Sequence, residues 1–363
     1  MTGTEACIAL NMVPNLGPVR LRKLLEVFET PERVLLARAG ELKSVDGIGK
    51  EVAEGIATWE SHVDLAGELR RIADFGARVI TRESPDYPRD LREIYNPPIV
   101  LYVWGTLTAR DHRAVSVVGS RKTSHYGLEC AKKLSYQIAY AGLTVVSGLA
   151  RGIDTAAHQG ALAAQGRTVA IIGSGLMQLY PPENQGLAEK IIESGAVVTE
   201  FPMEFPPARE NFPYRNRIVA GWGQGLLVVE AGLNSGALIT AGQAIDQGRQ
   251  VYAVPGPIDR PTSAGSNRLI QQGAKLVTGA GDILDDLNVL LPAEPAARSI
   301  SATSETLTEE EQTVLKTLEE GETSLDDLVT KCRLPIQKVS STLLALEMKR
   351  RVKALSGQYF KRL

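Results

Sequence analysis

The chain has 363 residues, a formal net charge of −2 and 44% hydrophobic residues, a length for two or three domains with the composition of an ordinary globular protein. Its three cysteines, Cys7, Cys130 and Cys332, lie far apart, which excludes a disulfide scaffold or a cysteine zinc site and fits a reducing compartment. Met1 to Asn15 lacks a basic start followed by a sustained apolar stretch, and no run approaches the ~18 apolar residues that cross a bilayer, so a cytoplasmic protein with no membrane partner is expected.

Residues 1–75 read as a small helical domain. Val45-Asp46-Gly47-Ile48-Gly49-Lys50 runs into a short helical pattern, which resembles a helix-hairpin-helix turn. Val13-Pro14-Asn15-Leu16-Gly17-Pro18 reads as a degenerate second copy, with Pro18 where the second glycine would sit. Such glycines serve either a phosphate contact or packing alone.

Residues 76–290 alternate strand and helix. Candidate strands are Arg78–Thr81, Ile99–Trp104, Ala114–Val118, Thr144–Ser147, Thr168–Ile172, Val197–Glu200, Leu226–Glu230, Val251–Val254 and Lys275–Val277. Helical stretches such as Tyr126–Ala141 and Asp154–Gln165 separate most of them. The pattern predicts an α/β fold: an extended Rossmann-like, doubly wound, mainly parallel sheet with both faces covered. Residues 291–304 read as a linker. Residues 305–363 carry helical patterns at about 309–319, 324–331 and 335–349, then two short strands flanking Ser356-Gly357. That is the outline of a winged helix, a class that binds DNA or protein.

The strand Ala114–Val118 breaks at Gly119-Ser120-Arg121 and feeds a helix, which predicts an anion site of backbone N–H groups and a positive helix end. Small residues recur at other strand ends: Ser147-Gly148, Gly173-Ser174-Gly175, and Ser235-Gly236 after Glu230-Ala231-Gly232. Ligands of doubly wound sheets sit at such ends, and small residues admit close approach. Arg209-Glu210-Asn211-Phe212-Pro213-Tyr214-Arg215-Asn216-Arg217 interleaves arginines with aromatic rings, a pattern suited to phosphates and stacked bases. The other reading is that Arg215 and Arg217 satisfy local carboxylates while Phe212 fills the core.

Asp154 and His158 read as a helix cap and a packed imidazole, because no third ligand stands at metal spacing. Glu200 and Glu230 read as structural or ligand-orienting. No catalytic residue, metal or cofactor is expected. Gly119 opens no G-x-G-x-x-G and no G-x-x-x-x-G-K-[ST] exists, which argues against a dinucleotide oxidoreductase and a P-loop ATPase.

These stretches together resemble the DNA-processing protein A family (DprA, also called Smf). The matching segments include Val117-Val118-Gly119-Ser120-Arg121, Ser147-Gly148-Leu149-Ala150-Arg151-Gly152-Ile153-Asp154, Phe212 to Gly221, Val228-Val229-Glu230-Ala231, Ser235 to Ala241 and Gly265-Ser266-Asn267-Arg268. The resemblance implies a non-enzymatic single-stranded-DNA-binding protein that protects incoming DNA in natural transformation, helps load RecA recombinase and dimerises through the Rossmann-like domain. By motif position it implies DNA contacts at Gly119, Ser120, Arg121, Ser147, Gly148, Arg209, Phe212, Arg215, Asn216 and Arg217, extended by Gly173, Ser235 and Gly236. One departure stands out: after Tyr180-Pro181 many members carry a lysine, where this chain has Pro182. The rival class is a Rossmann-like phosphoribohydrolase, whose P-G-G-x-G-T-x-x-E array is missing here. A third reading is a protein-binding adaptor dominated by the winged domain.

Overall fold

The computed structural model describes residues 1–287, 309–318, 323–332, 334–336, 338–339, 342–343, 346, 351–355 and 359–362. They belong to two compact units, 1–292 and 293–363. The first unit is built on a nine-stranded sheet: β1 (Arg78–Thr81), β2 (Val100–Gly105), β3 (Ala114–Val118), β4 (Thr144–Ser147), β5 (Thr168–Ile171), β6 (Ala196–Thr199), β7 (Gly225–Val228), β8 (Gln250–Ala253) and β9 (Lys275–Leu276). The spatial order is β1-β2-β6-β5-β4-β3-β7-β8-β9. From β6 to β9 neighbours are parallel, while β1 and β2 pair antiparallel at one edge. Every expected strand is present, and the ends shift by one or two residues where an apolar run continues past the last ladder pair.

The strands are Val- and Ile-rich because both faces are covered. All five residues of β3 are buried. Val118 and Ala114 face the helices Asn211–Trp222 and Gly236–Asp246, whereas Val115 and Val117 face His125–Tyr140 and Ile153–Ala163. Chain progression reverses direction between β3 and β7. That switch point leaves a crevice at the carboxyl ends of the two strands.

Six helices precede the sheet, from Gly3–Met12 to Leu65–Phe75. The two hairpin turns have the same backbone. Gly17 and Gly49 each precede a helix with extended geometry. Gly47 has φ +82° and Asn15, its counterpart, φ +61°. The degenerate position is therefore Asn15 rather than Pro18, since asparagine tolerates the left-handed region. Pro18 takes the first helical position, where its missing N–H is no loss.

The boundary expected at residue 75 is not a break in packing. Leu10, Leu24, Ile56 and Ile72 share one apolar cluster with Ile99, Val100, Tyr102 and Met203. Buried Glu68 accepts the Met203 N–H at 2.8 Å, and Asn11 Nδ2 donates to the Glu200 carbonyl at 2.9 Å.

In the second unit the helices Glu309–Thr317 and Leu325–Cys332 accompany a three-stranded antiparallel sheet of Thr323–Ser324, Tyr359–Arg362 and Val352–Leu355. Val314, Leu318, Leu328, Leu343 and Leu346 form its core. The linker expected at 291–304, most of the helix expected at 335–349 and the Ser356-Gly357 tip lie outside the described residues.

Residues 76–292 without the helical segment should be less stable than 1–292 under urea unfolding. Exposing Ile99 and Tyr102 alone costs about 3–6 kcal/mol. Equal midpoints would mean that the two parts fold independently.

Candidate functional site

A groove of about 910 Å³ opens at the switch point. One wall is the segment after β3, with Gly119, Ser120, Arg121 and Lys122. The opposite wall is the Gly232–Ala237 turn, and the start of the Asn211–Trp222 helix closes one end with Phe212, Pro213, Arg215 and Asn216. Arg209 and Asp154 also line it. Arg121, Lys122 and Arg209 are exposed. Ser235 caps the Gly236–Asp246 helix by accepting the Ala237 N–H, and Gly236 opens onto the groove, where an added Cβ would meet nothing within 4 Å.

The anion site expected from backbone groups after β3 is already occupied by protein. The Ser120 N–H donates to the Glu230 carbonyl at 2.7 Å, and the Ser120 hydroxyl donates to the Lys122 carbonyl at 2.8 Å. The start of the His125–Tyr140 helix is covered by the Glu230 carboxylate, which accepts the Ser124 N–H at 2.7 Å and hydroxyl at 2.8 Å, and the Thr123 hydroxyl. Burial opposes that charge, but these bonds outweigh it and hold the Glu230 carboxyl below its ordinary range. Charge for a ligand therefore comes from side chains.

The glycine clearing also has a different cause from the one expected. A Cβ on Gly148 would lie 2.7 Å from Arg215 Nη2 and 2.6 Å from Asp154 Oδ2, and one on Gly173 would press Phe212 Cδ1 at 3.0 Å. A Cβ on Gly119 would meet Ile153 Cγ1 at 2.5 Å. These glycines make room for protein. Ser147 is fully buried, with its hydroxyl donating to the Val117 carbonyl at 2.6 Å, and does not reach the groove. Asp154 does not cap its helix, whose N-cap is Gly152; its carboxylate accepts the Ala150 N–H at 3.3 Å. His158 is buried and bonds Thr168 Oγ1 at 2.7 Å.

At the mouth, rings and cations alternate. The Arg121 guanidinium lies 4.7 Å from the Phe212 ring centroid, Phe212 and Tyr180 are 5.8 Å apart, and Arg151 stands 5.6 Å from Tyr180. Arg151 pairs with Glu183, with Nη2 to Oε2 at 3.0 Å. Pro182, uncharged and exposed, adjoins this pair. Tyr180, Arg151 and Lys122 were not among the contact residues expected from sequence. Lys122 is legible as a cation contiguous with Arg121, but only the fold brings Tyr180 and Arg151 beside Phe212.

The two arginines of the Asn211–Trp222 helix turn inward. Arg217 is 3% exposed and pairs with Glu200, Nη2 to Oε2 at 2.6 Å, so it is not part of the groove. Arg215, also 3% exposed, donates Nη1 to the Gly148 carbonyl at 2.7 Å and to the Ile171 carbonyl, and its Nε to Asn216 Oδ1 at 3.1 Å. It forms groove floor together with Asp154. Burial lowers Arg215 to about 10, so it stays cationic at neutral pH. Burial pushes Asp154 up to about 6, against the pull of Arg215. Arg217→Ala should lower unfolding free energy by about 3–5 kcal/mol, because Glu200 would be left buried and unpaired. A change under about 1 kcal/mol in chemical denaturation would show that water reaches Glu200 freely.

Residues 78–288 match the family model described as DNA recombination-mediator protein A, and residues 294–358 match the DprA winged helix domain. The chain is 34% identical to Protein Smf of Synechocystis sp. over 98% of each chain. The X-ray structure of DNA processing protein A from Streptococcus pneumoniae superposes with a TM-score of 0.69 at 35% identity, covering 79% of this chain and 98% of that one. A structure concerning the single-stranded DNA binding mode of DNA processing protein A from Helicobacter pylori shares the fold, with a TM-score of 0.52 at 24% identity over 58% of this chain and 95% of that one. With the sheet order, the switch-point groove and matches along nearly its whole length in agreement, the chain belongs to the DNA recombination-mediator protein A (DprA/Smf) family.

Proposed function

We propose that the groove binds single-stranded DNA, and that the chain is a non-enzymatic mediator that protects incoming strands in transformation and helps load RecA recombinase, acting as a homodimer through the Rossmann-like domain. The observation that carries the reading is Arg121 poised over Phe212 at the groove mouth, with Arg209 and Lys122 exposed beside it. Cations meet the phosphates, and an aromatic face stacks an unpaired base at about 1–3 kcal/mol. A duplex hides its base faces, so discrimination follows from the same ring. The Helicobacter pylori relative, described by its single-stranded DNA binding mode, supports this choice of ligand. Family membership supports the recombinase and homodimer parts. In this reading Arg151 supplies the cation beside Pro182, and Arg215 sets positive potential in the floor. The commitment of Glu230 to Ser124 and Thr123 supports a non-catalytic role over phosphoribohydrolase chemistry, and incubation with nucleoside monophosphates should release no base.

Gel-shift titration of the full chain should give tighter binding to single strands than to duplex. With about three phosphates met by Arg121, Lys122 and Arg209, the log–log salt slope should be about −2. Arg121→Ala should weaken binding about ten- to hundred-fold while leaving the fold intact; unchanged affinity would remove Arg121 from the site.

Affinity should also rise as pH falls through about 6. Asp154 then takes a proton and a negative charge leaves the groove floor, easing phosphate approach. In Asp154→Asn that step should vanish. A step that persists in the variant would assign it to another group.

A further inference from the structure

We infer that a strand held in the groove continues past the start of the Asn211–Trp222 helix into a second cavity of about 760 Å³, where an unpaired base stacks on Phe205 and Tyr214. The inference rests on the single-strand reading of the groove. This cavity lies between the Asn15–Pro18 turn and the 200–206 loop. Phe205 and Tyr214 are 38% and 37% exposed, large rings left partly in water on its wall. Their positions are held from beneath. Phe201 stacks on Phe205 with centroids 4.9 Å apart and planes at 16°, and it lies 6.3 Å from Tyr214. The Arg217 guanidinium sits 4.1 Å from the Tyr214 centroid. A supported, half-exposed ring pair is a preorganised surface for a planar ligand.

Each carboxylate that lines it is in an ion pair, and one exposed cation stands at its rim. Glu200 is neutralised by Arg217. Glu68, Glu204 and Asp64 share Arg71, at 3.2, 3.5 and 3.6 Å. Arg20, exposed on the rim, donates to the Asn15 carbonyl at 2.6 Å, and no carboxylate lies within ion-pair distance of it among the described residues. Arg20, exposed beside the ring platform, is the cation placed to meet one phosphate of a stacked base.

Continuity with the groove comes from helix geometry. Phe212 and Tyr214 are two residues apart, so they leave the axis roughly 200° apart, on opposite sides of a cylinder about 10 Å wide. One helix start thus offers a ring to each cavity, and exposed Arg209 lies on the loop leading into it.

The test uses the full chain and fluorescein-labelled oligothymidylates of increasing length, read by anisotropy. Short oligomers fill the groove alone. Once the length reaches the second cavity, wild-type affinity should step up about ten-fold, and the salt slope should steepen by about 0.7, the value for one added phosphate. Phe205→Ala combined with Arg20→Ala should remove the step and leave short-oligomer affinity unchanged. Phe205→Trp combined with wild-type Arg20 should retain it and shows that the position tolerates change without unfolding. A 2-aminopurine base at the position that reaches Phe205 should be quenched in the wild type and not in the double variant. Short oligomers bound with no length step, or a step equal in wild type and double variant, would overturn the second station while leaving the groove reading intact. No binding of single strands at any length would overturn the groove reading and this inference with it.

Discussion

Two buried guanidinium groups determine where the Asn211–Trp222 helix begins, and the rim of the sheet is arranged around that point. Arg217 is locked to Glu200 at the end of β6, and Arg215 reaches the carbonyls of Gly148 and Ile171 at the ends of β4 and β5. An unpaired charge in either position would be expensive, so the first turn has little freedom to shift. The rings of Phe212 and Tyr214 are displayed while the two arginines that follow them are withdrawn. Gly148 belongs to the same device, since any side chain there would evict the Arg215 guanidinium.

The treatment of anions follows a related logic. In many nucleotide-binding sheets the helix after the first core strand takes a phosphate on its N–H groups. Here Glu230 holds that place with its own carboxylate, and the Ser120 N–H is spent on the Glu230 carbonyl. Backbone cradles suit one phosphate in one geometry. Arg121, Lys122 and Arg209 are long side chains that adjust to phosphates at variable spacing, which fits a polymer better than a nucleotide.

The N-terminal helices are not an appendage. They bury one face of β2 and, through Glu68 and Asn11, hold the 200–206 loop that leads into the Asn211–Trp222 helix. A segment that reads as a separate helical domain is in packing terms the lid on one end of the sheet, and it supplies a wall of the second cavity.

Much of the fold was legible locally. Val- and Ile-rich runs bounded by glycines located all nine strands, because doubly buried strands need continuous apolar sequence. The turns around Gly17 and Gly49 were visible as motifs, though Pro18 was misread as standing where the second glycine sits; that place is held by Gly17, and the substituted position is Asn15, whose left-handed backbone composition does not show. The interleaved arginines and rings marked the nine-residue segment whose helix start closes one end of the groove. Which of those arginines point to solvent was not legible. Helix phase assigns faces only once the partners are known, and the partner of Arg217 lies seventeen positions away, while the carbonyls bonded by Arg215 lie at the ends of two other strands.

By itself the sequence determined the α/β alternation, the family motifs and the position of the switch-point loops, all properties of short windows governed by burial and turn chemistry. Tertiary structure alone decided that Glu230 plugs the helix start, that Arg215 and Arg217 serve the interior, and that Tyr180 and Arg151 join Phe212 and Arg121. Those outcomes depend on electrostatic and packing contacts between residues tens to more than a hundred positions apart, and no local pattern encodes which partner arrives first.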